Sequence, residues 1–150
     1  MSIDIVLVDD HLPFRVCLKG LLEQQPDFAV VAQADHGGQV VGLLKTALRT
    51  GTHCVVLMDV NLPTVDGIEG TRRVIALALA PMVQVLALSS HDDAGFVAAM
   101  MAAGACGYML KDDPLDELVS AIRDVAAGRR VFSRALSANP PGVEDGQVDN

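Results

Sequence analysis

Val55-Val56-Leu57-Met58-Asp59-Val60-Asn61-Leu62-Pro63 opens with four apolar residues, two of them β-branched, and stops abruptly on a carboxylate. Such a run describes a strand buried on both faces. Asp59 therefore stands at a strand's end. Asn61, Pro63 and then Asp66-Gly67 supply turn chemistry: proline presets φ, while Asp and Gly tolerate the positions a tight loop needs. A carboxylate on a rigid strand beside a loop suits chemistry. It suits the capping of the next helix equally well, and this stretch alone leaves both readings open.

The pattern recurs on either side. Ile3 to Val8 form an apolar strand that ends on Asp9-Asp10, and Pro13 then opens a helix with Phe14, Cys17, Leu18, Leu21 and Leu22 at helical spacing. Phe28 to Ala34 reads as a second strand. Gly37-Gly38 breaks the chain before a helix with Val41, Leu44, Ala47 and Leu48 on one face, ended by Gly51. Cys54 to Met58 is the third strand. Ile68, Thr71, Val74 or Ile75, and Ala78 mark a third helix stopped by Pro81, and Val83 to Leu88 a fourth strand closed by Ser89-Ser90. A fourth helix carries Phe96, Val97, Met100 and Met101 and is capped by Gly104. Cys106 to Leu110 is the fifth strand, ending on Lys111. Asp113 as N-cap and Pro114 at the first helical position start a fifth helix with Leu115, Leu118, Val119, Ile122 and Val125 on its buried face, and Gly128 stops it.

Strands and helices in strict alternation predict an α/β fold: a doubly wound, five-stranded parallel sheet covered on both faces. Residues 1–128 make this domain. Past Gly128, Arg129, Arg130 and Arg134 lead to Asn139-Pro140-Pro141-Gly142 and an acidic end, so residues 129–150 are expected to be a flexible linker or tail with too little apolar content to fold alone.

Composition narrows the function. The chain has 150 residues, 51% hydrophobic but only 3% aromatic, so its core is built from Val, Leu, Ala, Ile and Met. A net charge of −8 opposes direct nucleic acid binding. Cys17, Cys54 and Cys106 are odd in number, far apart and set in apolar segments, which points to reduced core thiols and a cytoplasmic setting. No basic leader and no apolar run long enough to span a bilayer is present, so neither export nor membrane insertion is expected. His11, His36, His53 and His91 show no i, i+4 pairing and read as surface or loop histidines.

In a parallel sheet the residues just after the strands gather at one edge, where ligands bind these folds. Here that edge receives Asp9-Asp10, Asp59, Ser89 and Lys111. Two carboxylates about 4 Å apart repel by about 4 kcal/mol at an effective dielectric of ~20, so a cation must share the site. Oxygen ligands without paired His or Cys favour a hard ion, and Mg²⁺ suits because it accepts a few carboxylates and keeps the rest of its octahedron for water or a phosphoryl oxygen. Lys111 stands opposite as a point charge for an anion. Carboxylate, Mg²⁺, hydroxyl and lysine together describe phosphoryl transfer to an aspartate, with Asp59 the candidate nucleophile.

Several motifs, in order and spacing, resemble the receiver domain of bacterial two-component response regulators: Asp9-Asp10; Met58 to Pro63 followed by Asp66-Gly67; Leu88-Ser89-Ser90; and Gly104-Ala105-Cys106-Gly107-Tyr108-Met109-Leu110-Lys111. The ending Lys111-Asp112, the Ala126-Ala127-Gly128 stop and Val131-Phe132-Ser133 are similar to the NarL/LuxR subfamily. The resemblance implies a CheY-like, flavodoxin-like (βα)5 fold of strand order 2-1-3-4-5. It implies a phosphoprotein that signals rather than an enzyme, and that assists its own phosphorylation and dephosphorylation. Asp59 would accept a phosphoryl group from a sensor histidine kinase. Asp10, Asp59 and the backbone carbonyl of Asn61 would bind Mg²⁺, with Asp9 assisting. Ser89 and Lys111 would hold the phosphoryl group, and Ser89 with the aromatic ring of Tyr108 would form a switch in which the ring turns inward on phosphorylation. Asn61 and His91 occupy positions that tune the phosphoryl group's lifetime in the family.

The resemblance further implies a docking face made by the fourth helix, fifth strand and fifth helix near Phe96, Met100, Tyr108 and Leu115, for a partner or for a second copy in a homodimer. The output would be transcription through a helix-turn-helix domain that this chain does not contain, or else a protein contact made by a stand-alone receiver. A haloacid-dehalogenase-like aspartyl phosphatase is the less favoured alternative, because it wants a second Asp where Asn61 stands. A flavodoxin-like electron carrier needs a hydroxyl-rich loop where Asp9-Asp10-His11 stands.

Overall fold

Side chains alternate across every strand, and both faces of the sheet are apolar, so helices must cover both. The computed structural model describes residues 2–49 and 51–136. Its strands are β1 (Ile3–Val8), β2 (Phe28–Ala34), β3 (His53–Met58), β4 (Val83–Ser89), β5 (Gly107–Leu110) and β6 (Val131–Phe132). They pair in parallel in the order β2-β1-β3-β4-β5-β6. The helices are α1 (Leu12–Leu22), α2 (Val40–Ala47), α3 (Gly67–Ile75), α4 (Ala94–Ala103) and α5 (Leu115–Ala126). Ile5, Leu7, Val55, Leu57 and Leu86 pack with α1 and α5, while Val6, Val8, Val56, Met58 and Val85 pack with α2, α3 and α4. Ile122 and Leu22 on one side and Leu44 and Met100 on the other are fully buried. Each such side chain contributes on the order of 1.5–3 kcal/mol. No helix among the described residues is long and apolar enough to cross a membrane.

The sheet has a sixth strand where five were expected. β6 lies beside β5, with Gly107 opposite Val131. A Cβ at position 107 would come 2.2 Å from the Val131 carbonyl oxygen, so the glycine is what admits the extra strand. The fold thus runs past Gly128 into the segment read as a tail, and a 3₁₀ turn at Arg134–Leu136 follows β6. Residues 137–150, the rest of that expected linker, lie outside the described residues.

Three local expectations give way to tertiary contacts. Asp113 does not cap α5; Pro114 holds the cap position, and the Asp113 carboxylate accepts from the Leu110 N–H and the Ser133 hydroxyl, both at 2.8 Å. The acid serves the turn after β5 and ties it to the segment beyond α5. Cys17 is exposed, because the inward stripe of α1 runs through Leu18 and Leu22 and leaves position 17 facing water. Cys54 is buried and Cys106 half-buried. The second helix follows a 3₁₀ turn at Gly37–Gln39 and ends at Ala47 rather than Gly51, and α3 ends at Ile75, short of Ala78.

Ser133 is 1% exposed, and its hydroxyl is the partner of the Asp113 carboxylate. Ser133→Ala is expected to lower the unfolding free energy by about 1–2 kcal/mol, measured by urea denaturation. Amide exchange should rise at residue 133, whose N–H donates to the Tyr108 carbonyl at 2.8 Å.

Candidate functional site

Register decides which residues meet. Val8 pairs with Met58, so Asp9 and Asp59 leave the sheet side by side; Ser89 pairs with Leu110, so Lys111 emerges next to them. The Asp9 N–H donates to Ala34, the Asp59 N–H to Val8 and the Lys111 N–H to Ser89, which extends the ladders one residue past the strands. The three side chains are thereby fixed at their roots.

Asp9 and Asp59 are 5% and 6% exposed, whereas Asp10 is exposed. Carboxylate oxygens of Asp9, Asp10 and Asp59 lie within 4.8 Å of one another. The Lys111 Nζ donates to Asp9 at 2.6 Å and to Asp59 at 3.1 Å. Asp9 also accepts the His11 N–H at 2.8 Å, and Asp59 accepts the Asn61 N–H at 3.4 Å. Burial pushes the Asp59 carboxyl above its ordinary value; the Lys111 charge opposes this and the Asp9 charge adds to it. Burial pulls Lys111 down, but its hydrogen bond to Asp9 and the charges of both carboxylates more than reverse it, and the ammonium is held above its ordinary value.

The loop after Asp59 is folded hard against α3. The Gly67 N–H donates to Val60 at 2.8 Å, and a Cβ on Gly67 would lie 1.8 Å from the Asp59 carbonyl oxygen. Only glycine fits there. Asp66 caps α3 by accepting the Glu69 N–H at 2.9 Å.

Ser89 and Tyr108 are fully buried and meet through residue 91: the His91 N–H donates to the Ser89 hydroxyl at 3.1 Å, and the Tyr108 hydroxyl donates to the His91 carbonyl at 2.6 Å. The Tyr108 ring, expected to turn inward on phosphorylation, is already inside. The His91 Nε2 lies 3.5 Å from the Asn61 amide nitrogen, and its ring centroid is 5.1 Å from that of Phe96. On the expected docking face Phe96 and Leu115 are half-buried, while Met100, on the inward stripe of α4, and Tyr108, on β5, are wholly inside.

Two neighbours of the cleft escaped the sequence reading. Phe14, read as core, places its ring centroid 4.6 Å from the Lys111 Nζ. Arg15 donates to the Asp9 carbonyl at 2.5 Å and to Gln33 at 3.0 Å, tying α1 to the cleft's wall. Their place in the first turn after Asp9-Asp10 was the available signal. At the sheet's other edge the fully buried Asp4, unremarked in an apolar strand, pairs with Arg49 and accepts the Thr52 hydroxyl at 3.2 Å.

Residues 5–123 match the family described as the response regulator receiver domain. The chain is 41% identical over 127 residues to the transcriptional regulatory protein DegU of Brevibacillus brevis, covering 85% of this chain and 51% of that protein. It is 32% identical over 133 residues to the nitrate/nitrite response regulator protein NarL of Escherichia coli (strain K12), covering 89% of this chain and 59% of that one. The crystal structure of a LuxR-family two-component response regulator from Aurantimonas sp. SI85-9A1 superposes with a TM-score of 0.80 at 34% identity, covering 92% of this chain and 94% of the other. The chain spans between 51% and 59% of the length of those two named regulators.

Because the folded state raises the Asp59 pKa, it binds that proton more tightly than the unfolded chain, and the ionised carboxylate costs stability that grows as pH rises through the raised value. Asp59→Asn is therefore expected to raise the thermal midpoint at pH 7, with Lys111 still held by Asp9. The gain should fade as the pH drops toward the ordinary aspartate range near 3.8. Melting curves from pH 3 to about pH 8 check both the sign and the window.

Proposed function

The chain belongs to the response regulator receiver domain family, of the NarL/LuxR type, and from that premise we propose that Asp59 is its phosphoacceptor and that a sensor histidine kinase is the donor. The observation that carries this reading is the buried Asp59 carboxylate at the end of β3, grouped with Asp9 and Asp10 and 3.1 Å from the Lys111 ammonium. An Asp59 oxygen forms the new bond to phosphorus while the bond from phosphorus to the donor's imidazole nitrogen breaks, its electron pair leaving with the nitrogen. Lys111 offsets charge on the moving group, and the Ser89 hydroxyl, close by at the end of β4, turns to it as a hydrogen-bond donor.

The donor set fits a hard divalent cation: it is all-oxygen, three carboxylates whose charge one ammonium leaves unbalanced, with Asp10 open to water. Asp9, Asp10, Asp59 and the Asn61 carbonyl are the proposed ligands of Mg²⁺. When bound, the ion supplies Lewis-acid neutralisation of the phosphoryl oxygens. Residues 1–128, with β6 completing their sheet, act as the receiver, and the output is proposed as transcription control through a helix-turn-helix domain that this chain does not contain, or else as a protein contact made by the receiver alone. The domain is read as assisting both its own phosphorylation and its dephosphorylation, and as docking a partner or a second copy through α4, β5 and α5.

Incubated with acetyl phosphate and Mg²⁺, the chain should gain one phosphoryl group on Asp59, with acetate as the leaving product. Phosphopeptide mass spectrometry locates it. Asp59→Asn should abolish labelling while retaining the folded circular dichroism spectrum, and chelation should lower labelling of the natural sequence at least tenfold. Undiminished labelling of Asp59→Asn moves the acceptor elsewhere.

A further inference from the structure

We infer that Phe14 is a positioning residue for phosphoryl transfer, its ring face holding the Lys111 ammonium over the cleft. The inference rests on the reading of Asp59 as acceptor and Lys111 as the phosphoryl group's partner.

A lysine ammonium has three N–H donors and a flexible four-carbon stem, so something must aim it. Two directions are taken by Asp9 at 2.6 Å and Asp59 at 3.1 Å, and the Phe14 ring lies on the Nζ at 4.6 Å to the centroid. The Lys111 side chain is only 13% exposed, which is the setting in which attraction to a ring's negative face is strongest. The carboxylates are unreliable holders during the reaction, because both are drawn toward any cation in the acidic cluster and Asp59 gives up its charge density as its oxygen bonds to phosphorus. A ring quadrupole is not consumed. It therefore keeps the ammonium in the cleft while the nitrogen exchanges carboxylate oxygens for phosphoryl oxygens.

Phe14 is itself well held. It sits in the first turn of α1 and packs against the cluster that contains Leu18, Leu57 and Leu88. The next residue, Arg15, is fastened to Gln33 and to the Asp9 carbonyl. The ring's position thus follows from the same strand end that carries Asp9. A leucine would fill the volume without offering a charged face.

The test uses the full chain with acetyl phosphate and Mg²⁺, following the initial rate of Asp59 labelling. Position 14 carries Phe, 4-fluoro-, 3,5-difluoro- or pentafluorophenylalanine, which nearly preserve shape while draining the ring face of negative charge. The rate is expected to fall stepwise along this series, by about three- to tenfold at the pentafluoro end, with the folded circular dichroism spectrum retained throughout. Phe14→Tyr should retain the rate, and Phe14→Leu should match the pentafluoro ring. A flat rate across the fluorinated series, with Phe14→Leu either slow or normal, overturns the inference and leaves Phe14 as packing. Absence of Asp59 labelling in the natural sequence overturns the acceptor reading itself, and this inference with it.

Discussion

Three carboxylates forced together at one edge of a parallel sheet are the constraint around which this structure is arranged. Parallel pairing makes β1 and β3 end level, so Asp9 and Asp59 cannot avoid each other, and both are nearly closed to solvent. In such surroundings like charges repel strongly and each carboxylate loses hydration. Lys111 answers both problems by bridging the pair, and it can do so because β5 ends level with β4 and delivers it to the same cleft. The balance is incomplete: one ammonium faces three carboxylates, and Asp59 remains costly to ionise. Surplus negative charge suits the cation proposed for the site, and a lysine shared between two acids suits the anion proposed to join them.

Several ties run from the cleft to the rest of the molecule, and His91 carries two of them on its backbone. The His91 N–H donates to the Ser89 hydroxyl and its carbonyl accepts from the Tyr108 hydroxyl, so one peptide segment anchors both side chains. The imidazole of His91 lies between Asn61, in the loop after Asp59, and Phe96, in the first turn of α4. At the far side of Lys111, the Asp113 carboxylate ties the turn after β5 to Ser133 in the chain beyond α5.

The opposite edge shows what a carboxylate looks like when it is purely structural. Asp4 is as buried as any core residue, yet Arg49 and Thr52 enclose it with donors. Burial, together with the Asp4 charge, pushes the adjacent Cys54 thiol up to about 12, which makes it inert. Two edges of one sheet thus carry buried acids with opposite logic: donors close around Asp4, whereas Asp9 and Asp59 face a third acid that opens to water.

The sequence by itself determined the alternation of strands and helices, because periods of two and of 3.6 are local properties of apolar residues, and it determined that Asp9, Asp10, Asp59, Ser89 and Lys111 stand at one edge, because parallel topology sends every strand end there. It did not disclose β6, since two residues carry no period and their pairing depends on Gly107, 24 positions upstream of Val131. It put Asp113 at a helix cap because Asp before Pro suits one, while the actual partner, Ser133, is remote in the chain. Cys17 looked apolar in a window that could not say which way the helix would be rotated. Phe14 looked like core because an aromatic at helical spacing usually is; only the tertiary fold, which brings the Lys111 side chain to the first turn of α1, set its ring beside an ammonium. Local pattern fixes which residues share an element and an end, and the packing of elements alone decides which side chains touch.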